Sequence, residues 1–278
     1  MGLIDSVPLD RWTFERFGLT PSKLARRATD RTAPRVFCVS IPKAGTHLLE
    51  RALCLHPRMY RKLLPTVSDE NIAKYGGLER LLRRIRSGEV VASHLRFAPA
   101  YPEVLRRSGV AGVFLVRDPH DIVVSQVHYV SKRADHRLHD AFEERADARE
   151  KLRLAIAGDR DRRAPSIGER LDYFAGWLDA GCLVLRFEDL VGAGGGGDAE
   201  RQRTAIASLF GHVGLPADDA TVDAIAGELF SSDSPTFRKG SAGGWRSAFD
   251  PELEALFDEV VGGRAVPYGY GSSDRAGS

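Results

Sequence analysis

Cysteine is scarce in this chain of 278 residues: Cys38, Cys54 and Cys182 stand far apart, each in an apolar run. An odd, scattered set builds no disulfide framework and offers no pair at metal-ligand spacing. Buried, reduced thiols in a reducing compartment are expected, with a soluble, cytoplasmic location as the default. Excess charge is also missing. The 40 basic and 38 acidic side chains leave a net +2, which argues against a nucleic-acid coat or a membrane-surface protein and makes any anion site local. No apolar run approaches a membrane span, and the first residues lack a signal-peptide core. Met1-Gly2-Leu3-Ile4-Asp5-Ser6 fits the minimal myristoylation pattern without polybasic support nearby, and is read as chance. Lysine is outnumbered by arginine 7 to 33, a compositional hint of a GC-rich, bacterial coding sequence.

What remains is ordinary globular composition, 43% hydrophobic and 28% charged, on a length that suits one large α/β domain or two small ones. Residues 1–33 are polar and Arg-rich with anchors at Trp12, Phe14 and Phe17, and are expected to form a loosely packed arm. Short apolar strands are predicted at 35–40, 89–93, 110–116 and 182–186. Between and after them, helical periodicity runs from Thr46 to before Pro57, over 68–86 with a break at Gly76-Gly77, from Pro119 behind an Asp118 cap, over 166–179, near 199–212 and 217–230, and over 251–261. Residues 131–163 are dense in both charges, and a solvated helix face laced with salt bridges is expected there. The glycines of 192–197 predict a flexible linker, and the tail from 269 is expected to be disordered. Strands alternating with helices imply a parallel sheet with helices on both faces, and hence ligand binding beyond the carboxyl ends of the strands. Four stretches fall on that rim: 42–47, Ser93-His94, Arg117-Asp118 and 187–189.

The first of these is the most telling. A short strand, a tight loop with Lys43 and Gly45, and an apolar helix aim backbone N–H groups and the positive end of a helix dipole at one place, which suits an anion. The loop is not a Walker A motif, because Lys43 precedes Gly45 and no Lys-Ser or Lys-Thr follows the glycine. No acidic residue ends a strand in the manner of a magnesium ligand, so an anion held without a metal is expected.

Pro42-Lys43-Ala44-Gly45-Thr46 resembles the 5′-phosphosulfate loop of sulfotransferases that use 3′-phosphoadenylyl sulfate (PAPS). Ser93-His94-Leu95 resembles the segment with their catalytic histidine. Val116-Arg117-Asp118-Pro119-His120-Asp121-Ile122-Val123-Val124-Ser125 resembles their 3′-phosphate motif. Phe237-Arg238-Lys239-Gly240-Ser241-Ala242-Gly243-Gly244-Trp245-Arg246-Ser247-Ala248-Phe249 resembles the late signature of the cytosolic class, and Arg186-Phe187-Glu188-Asp189-Leu190 their Y-E-D-L element with Phe for Tyr. The pieces stand in family order. This resemblance implies a P-loop-like three-layer α/β sandwich, a central parallel sheet flanked by helices, spanning residues 34–268. It implies transfer of a sulfonate from PAPS to a hydroxyl or amine of a small-molecule, lipid or glycan acceptor, with PAP (3′-phosphoadenosine 5′-phosphate) as product and no metal. His94 would be the base and Lys43 would stabilise the leaving phosphate oxygen. Lys43, Ala44, Gly45, Thr46 and His47 would hold the 5′ end, and Arg117, Ser125, Arg238, Lys239 and Gly240 the 3′-phosphate. In that chemistry a preorganised donor is typically worth about 3 kcal/mol, and a histidine with a reference pKa of about 6.5 can take the acceptor's proton near neutral pH.

The departures are specific. Leu48 stands where the family often stacks a Trp on adenine, leaving Leu48 with Phe187, or Trp245, to hold the base. Ala92 replaces a Lys commonly found two residues before the histidine. The family's short dimer motif is not matched after the late signature, so the oligomeric state stays open. His47, His120 and His128 read as surface or packing residues, with His128 also a candidate for the acceptor pocket. Glu188-Asp189 reads as a helix cap, Trp245 and Phe249 as core, and Arg83, Arg84 and Arg86 as a solvated face. A P-loop kinase and a non-catalytic nucleotide-binding module are the alternatives. The loops at 57–75, 97–103 and 131–165 carry no readable acceptor signature.

Overall fold

The structure, a computed structural model, describes residues 13–14, 18–230 and 241–271, without the side chains of 27 and 28. Trp12, Phe17, Arg238, Lys239, Gly240 and the tail residues 272–278 lie outside the described residues.

Five strands form one sheet in the order β2-β3-β1-β4-β5. β1 (Val36–Ser40) is central, β3 (Glu89–Ser93) and β4 (Ala111–Val116) flank it, and β2 (Tyr60–Arg61) and β5 (Leu183–Arg186) are the edges. Every pairing is parallel, with Cys38 opposite Ala92 on one side and Val113 on the other. The strands read as unbroken apolar runs because both faces are covered. Phe37, Val39, Phe114 and Val116 enter one core, and Val36, Cys38, Val113 and Leu115 the other. This alternation along two adjacent strands makes the middle layer of a three-layer sandwich.

The first core is closed by α3 (Gly77–Arg83), α5 (Pro119–Ser131), α7 (Ala148–Ala157), α8 (Ile167–Phe174) and α12 (Pro251–Val261), through side chains such as Leu82, Ile122, Ile156, Leu171 and Phe257. The second is closed by α2 (Thr46–Leu55), α9 (Phe187–Val191), α10 (Ala199–Val213) and α11 (Asp219–Leu229), through Leu49, Leu53, Leu190, Phe210 and Ile225. α1 (Pro21–Thr29), capped by Thr20, sends the buried Lys23 ammonium to the carbonyls of Cys54, His56 and Met59, at the last two over 3.2 and 3.0 Å. The carbonyls left over at the end of α2 are thereby satisfied, and burial brings the Lys23 pKa down to about 8. Among the described residues no helix is long and apolar enough to cross a membrane.

Several elements differ from expectation for identifiable reasons. β2 has two residues, too few to show an alternation. α4 (Tyr101–Ser108) buries Leu105 alone, so no apolar period announces it. The 68–86 helix is a 3₁₀ turn, Ile72–Tyr75, followed by α3, separated where Gly76 and Gly77 take φ of 80° and 84°. The 192–197 glycines are not slack. A Cβ on Gly195 would lie 2.2 Å from Val191 Cγ2, and one on Gly197 2.5 Å from the Glu188 carbonyl, so glycine is there for close packing. Residues 131–163 carry the expected ion pairs, Lys151 to Glu143 at 2.6 Å and Arg162 to Glu144 at 2.7 Å. They also bury Leu138, Phe142, Leu152, Leu154 and Ile156 in the first core through α6 (His139–Glu143) and α7.

That segment is therefore part of the folding core. Phe142→Ala should destabilise the protein by about 3–5 kcal/mol in urea unfolding, the usual cost of emptying a large core site. A loss below about 1 kcal/mol would place the segment outside the core.

Candidate active site

The loop from β1 to α2 is shaped by two residues with positive φ. Lys43 sits at 77° and Gly45 at 101°. A Cβ at Gly45 would lie 2.5 Å from Phe187 Cδ2, so the loop closes onto α9 only with glycine there. Ala44 is fully buried and its N–H is bonded to the Ile41 carbonyl at 2.9 Å. The Gly45 carbonyl accepts from Leu48 and Leu49 and starts α2. The N–H groups of Gly45, Thr46 and His47 come before the first intrahelical bond and have no partner within the helix. Thr46 Oγ1 meets Ser40 Oγ at 2.6 Å, which pins the first turn of the helix to the end of β1.

His94, just past β3, lies against the same strand end. Its Nδ1 is 2.9 Å from the Ser40 carbonyl oxygen, which can only accept, so Nδ1 carries the proton and Nε2 is the basic nitrogen. Burial, with lesser contributions from His47, Lys43 and Arg170, pushes the His94 pKa down to about 4. The Lys43 ammonium lies 3.6 Å from the centre of the Tyr129 ring. Burial and then the charges of Arg117, Arg170 and Arg133 lower its pKa to about 8.

Arg117 leaves the end of β4 buried. Its Nη1 donates to the Lys43 carbonyl and its Nη2 to the Ser241 carbonyl, each at 3.2 Å. The guanidinium lies 4.2 Å over the Phe187 ring, and its buried Nε has no hydrogen-bond partner among the described residues. Arg170 of α8, also buried, donates to the Pro42 carbonyl at 2.8 Å and to the Gln126 side-chain oxygen. Burial alone lowers its pKa to about 10.

Two acids tie these loops together. Asp121, one turn after Arg117 and 3.8 Å from it, accepts the N–H groups of Gly243 at 2.8 Å and Trp245 at 3.0 Å. Burial raises its pKa against the pull of Arg117. Glu188 accepts the Asp118 N–H at 2.9 Å and the Tyr270 hydroxyl at 2.6 Å, so it joins the β4 and β5 loops rather than serving as a simple helix cap. Trp245 gives its indole N–H to Asp118 at 3.0 Å and stacks on His120, with ring centres 4.2 Å apart. With one face and its N–H committed, and the ring buried, Trp245 is core and is not placed to stack on a ligand.

One open cleft of about 1460 Å³ gathers the rim. Lys43, Gly45, Thr46, His47, Leu48, His94, Arg117, Ser125, Phe187 and His128 line it, whereas Ala44, Ala92, His120 and Trp245 do not. Ala44, expected in the anion loop, does not line the cleft, and its N–H is bonded inside the turn. His47 presents a half-exposed ring, 3.3 Å from Glu50. Arg170 and Asp121 were missed as site residues. Both had a signal. Arg170 falls on the apolar stripe of Ile167, Leu171 and Phe174, where a charge needs a reason, and Asp121 lies at i+4 from Arg117.

A family model described as "Sulfotransferase domain" matches residues 33–191, more than half of the chain. Among solved structures, the chain is similar in fold to a mouse sulfotransferase, SULT7A1, complexed with PAP, at 21% identity and a TM-score of 0.58 over 88% of each chain. It is also similar to retinol dehydratase in complex with androsterone and inactive cofactor PAP, at 16% identity and a TM-score of 0.53 over 89% of this chain and 86% of that one. No curated protein sequence matches.

Because Asp121 holds the Gly243–Trp245 turn through two charge-assisted bonds, Asp121→Ala should cost about 2–3 kcal/mol. It should speed hydrogen exchange at the Gly243 and Trp245 amides, read by mass spectrometry on peptides covering 241–249. Unchanged protection there would remove Asp121 from that role.

Proposed function

The chain belongs to the sulfotransferase-domain family, and from that membership we propose that it carries a sulfonate from PAPS to a hydroxyl or amine of a small-molecule, lipid or glycan acceptor. The supporting observation is the convergence of Lys43, His94, Arg117 and the N-terminus of α2 on one cleft. The donor set fits an anionic nucleotide. Lys43 and Arg170 have no carboxylate partner among the described residues, and Arg117 keeps a buried, unpaired Nε. A bound anion would supply the missing acceptors.

When bound, PAPS supplies a sulfonate activated by a phosphate leaving group. The N–H groups of Gly45, Thr46 and His47 and the Thr46 hydroxyl would hold its 5′ end. Lys43 would face the oxygen that gains charge as the bond to sulfur breaks. Arg117 and Ser125, with Arg238, Lys239 and Gly240, would hold the 3′-phosphate, and Phe187 and Leu48 would wall the adenine. His94 Nε2 would take the proton of the attacking hydroxyl, while the Nδ1 bond to Ser40 keeps the ring oriented and in the required tautomer. Binding energy from the 3′-phosphate, far from the reacting bond, would orient the donor for attack. A cytoplasmic setting suits the free thiols.

Thermal shift with and without Mg²⁺ tests the donor. PAP should stabilise the protein without magnesium and ATP should not, and the reverse pattern would favour a kinase. His94→Ala should lower transfer by about 10²–10⁴-fold while PAP affinity stays within about twofold. Loss of PAP binding would make His94 structural.

The two shifted groups set a pH profile for kcat/KM. His94 acts when neutral, so the rate falls as pH drops through its value of about 4, well below the ordinary 6.5. Lys43 acts when charged, so the rate falls as pH rises through about 8. Lys43→Arg should move the alkaline limb beyond the accessible range, since a guanidinium stays protonated. An alkaline limb unchanged in that variant would assign it to another group.

A further inference from the structure

We propose that Arg170 is a second cationic contact for the sulfonate in transfer, supplied by α8 rather than by the strand that leads to His94. This rests on the function proposed above.

Arg170 is 5% exposed and lines the cleft. A buried guanidinium ordinarily has a carboxylate, because desolvating a charge without one is costly. Arg170 has none among the described residues. Its bonds go to two neutral oxygens, the Pro42 carbonyl and the Gln126 side chain. Of the cleft cations, Lys43 likewise has no carboxylate among the described residues, whereas two arginines have one nearby. Arg117 has Asp121 within 3.8 Å, and Arg96 has Asp69 at 3.4 Å. The charge of Arg170 is thus left for something that enters the cleft.

Its position says which part of the ligand. The Pro42 carbonyl belongs to the residue before Lys43, so the guanidinium is fastened to the loop proposed to face the breaking bond. Its field lowers the proton affinity of both Lys43 and His94, the two groups expected on either side of sulfur. A contact for an acidic acceptor would suit the rim, where the Arg96 side chain is 51% exposed. The strand offers no second cation, since Ala92 is 3% exposed and does not line the cleft. In the transfer, the acceptor oxygen–sulfur bond forms as the sulfur–oxygen bond to phosphate breaks. The electron pair stays on the phosphate oxygen beside Lys43, and the acceptor proton passes to His94 Nε2. The sulfonyl oxygens keep their charge throughout, and a planar guanidinium can hold them.

PAP and PAPS differ by this sulfonate, so their affinities separate the roles. Calorimetric titration of the full chain with each should show Arg170→Met binding PAP within about twofold of the parent and PAPS about tenfold or more weaker. Arg170→Lys should recover part of the PAPS affinity. An equal loss for both ligands would make Arg170 a structural prop of the loop and overturn the proposal. So would unchanged PAPS affinity together with a raised KM for a carboxylated phenol and an unchanged KM for a neutral one, which would assign Arg170 to the acceptor. Should Arg170→Met fail to fold, Arg170→Lys carries the test: weaker PAPS with unchanged PAP supports the contact, and equal effects contradict it. A parent protein that binds neither ligand would overturn the function itself, a result distinct from either outcome at Arg170.

Discussion

Lys43, Arg117 and Arg170 crowd one loop, and Asp121, the one carboxylate among the described residues that lies within 4 Å of any of them, spends both oxygens on backbone N–H groups. Like charges gathered without counter-charge destabilise a fold unless the surrounding structure holds them in place. Here the parallel sheet does so. β1, β3 and β4 end side by side, and each delivers one chemical group at its carboxyl end: the loop with Lys43, His94 and Arg117. The low proton affinities of Lys43 and His94 follow from burial first and then from that crowding. An entering anion would relieve the repulsion, so the arrangement costs stability in the empty protein and is offset on binding.

The chain keeps this cluster rigid by joining distant segments to it. Gly45 closes the loop onto Phe187, which also lies under the Arg117 guanidinium. Asp121 fastens the turn at Gly243 and Trp245, and Glu188 links the start of α5 to Tyr270. Asp121 and Glu188 thus act on backbone and hydroxyl groups and leave the cationic face open. Polar groups that are fully bonded in this way fix a loop without neutralising it.

Much of the architecture was legible because its signals are local. Apolar runs marked the four longer strands, and the Asp118-Pro119 pair marked the start of α5. The rim was legible from topology, since ligand loops follow strand ends in a parallel sheet. What escaped depends on tertiary contact. Phe142 and Ile156 belong to the core although charge surrounds them in sequence, and the glycines near 195 are packed rather than slack because Val191 lies against them. That the Ala44 N–H is bonded to the Ile41 carbonyl is likewise visible only in the folded loop. Arg170 was hidden because a helix stripe shows where a side chain is buried and not what waits beside it.

On the proposed function a bound nucleotide anion is the counter-charge this cluster lacks, and proton uptake measures it directly. PAP can be titrated calorimetrically into the metal-free protein at pH 8 in buffers of different ionisation enthalpy. Lys43, with a pKa of about 8, should take up about half a proton as the anion restores its full charge. The uptake should vanish in Lys43→Arg while binding persists. Binding without proton uptake, or the same uptake in that variant, would mean that the anion is not the counter-charge of Lys43.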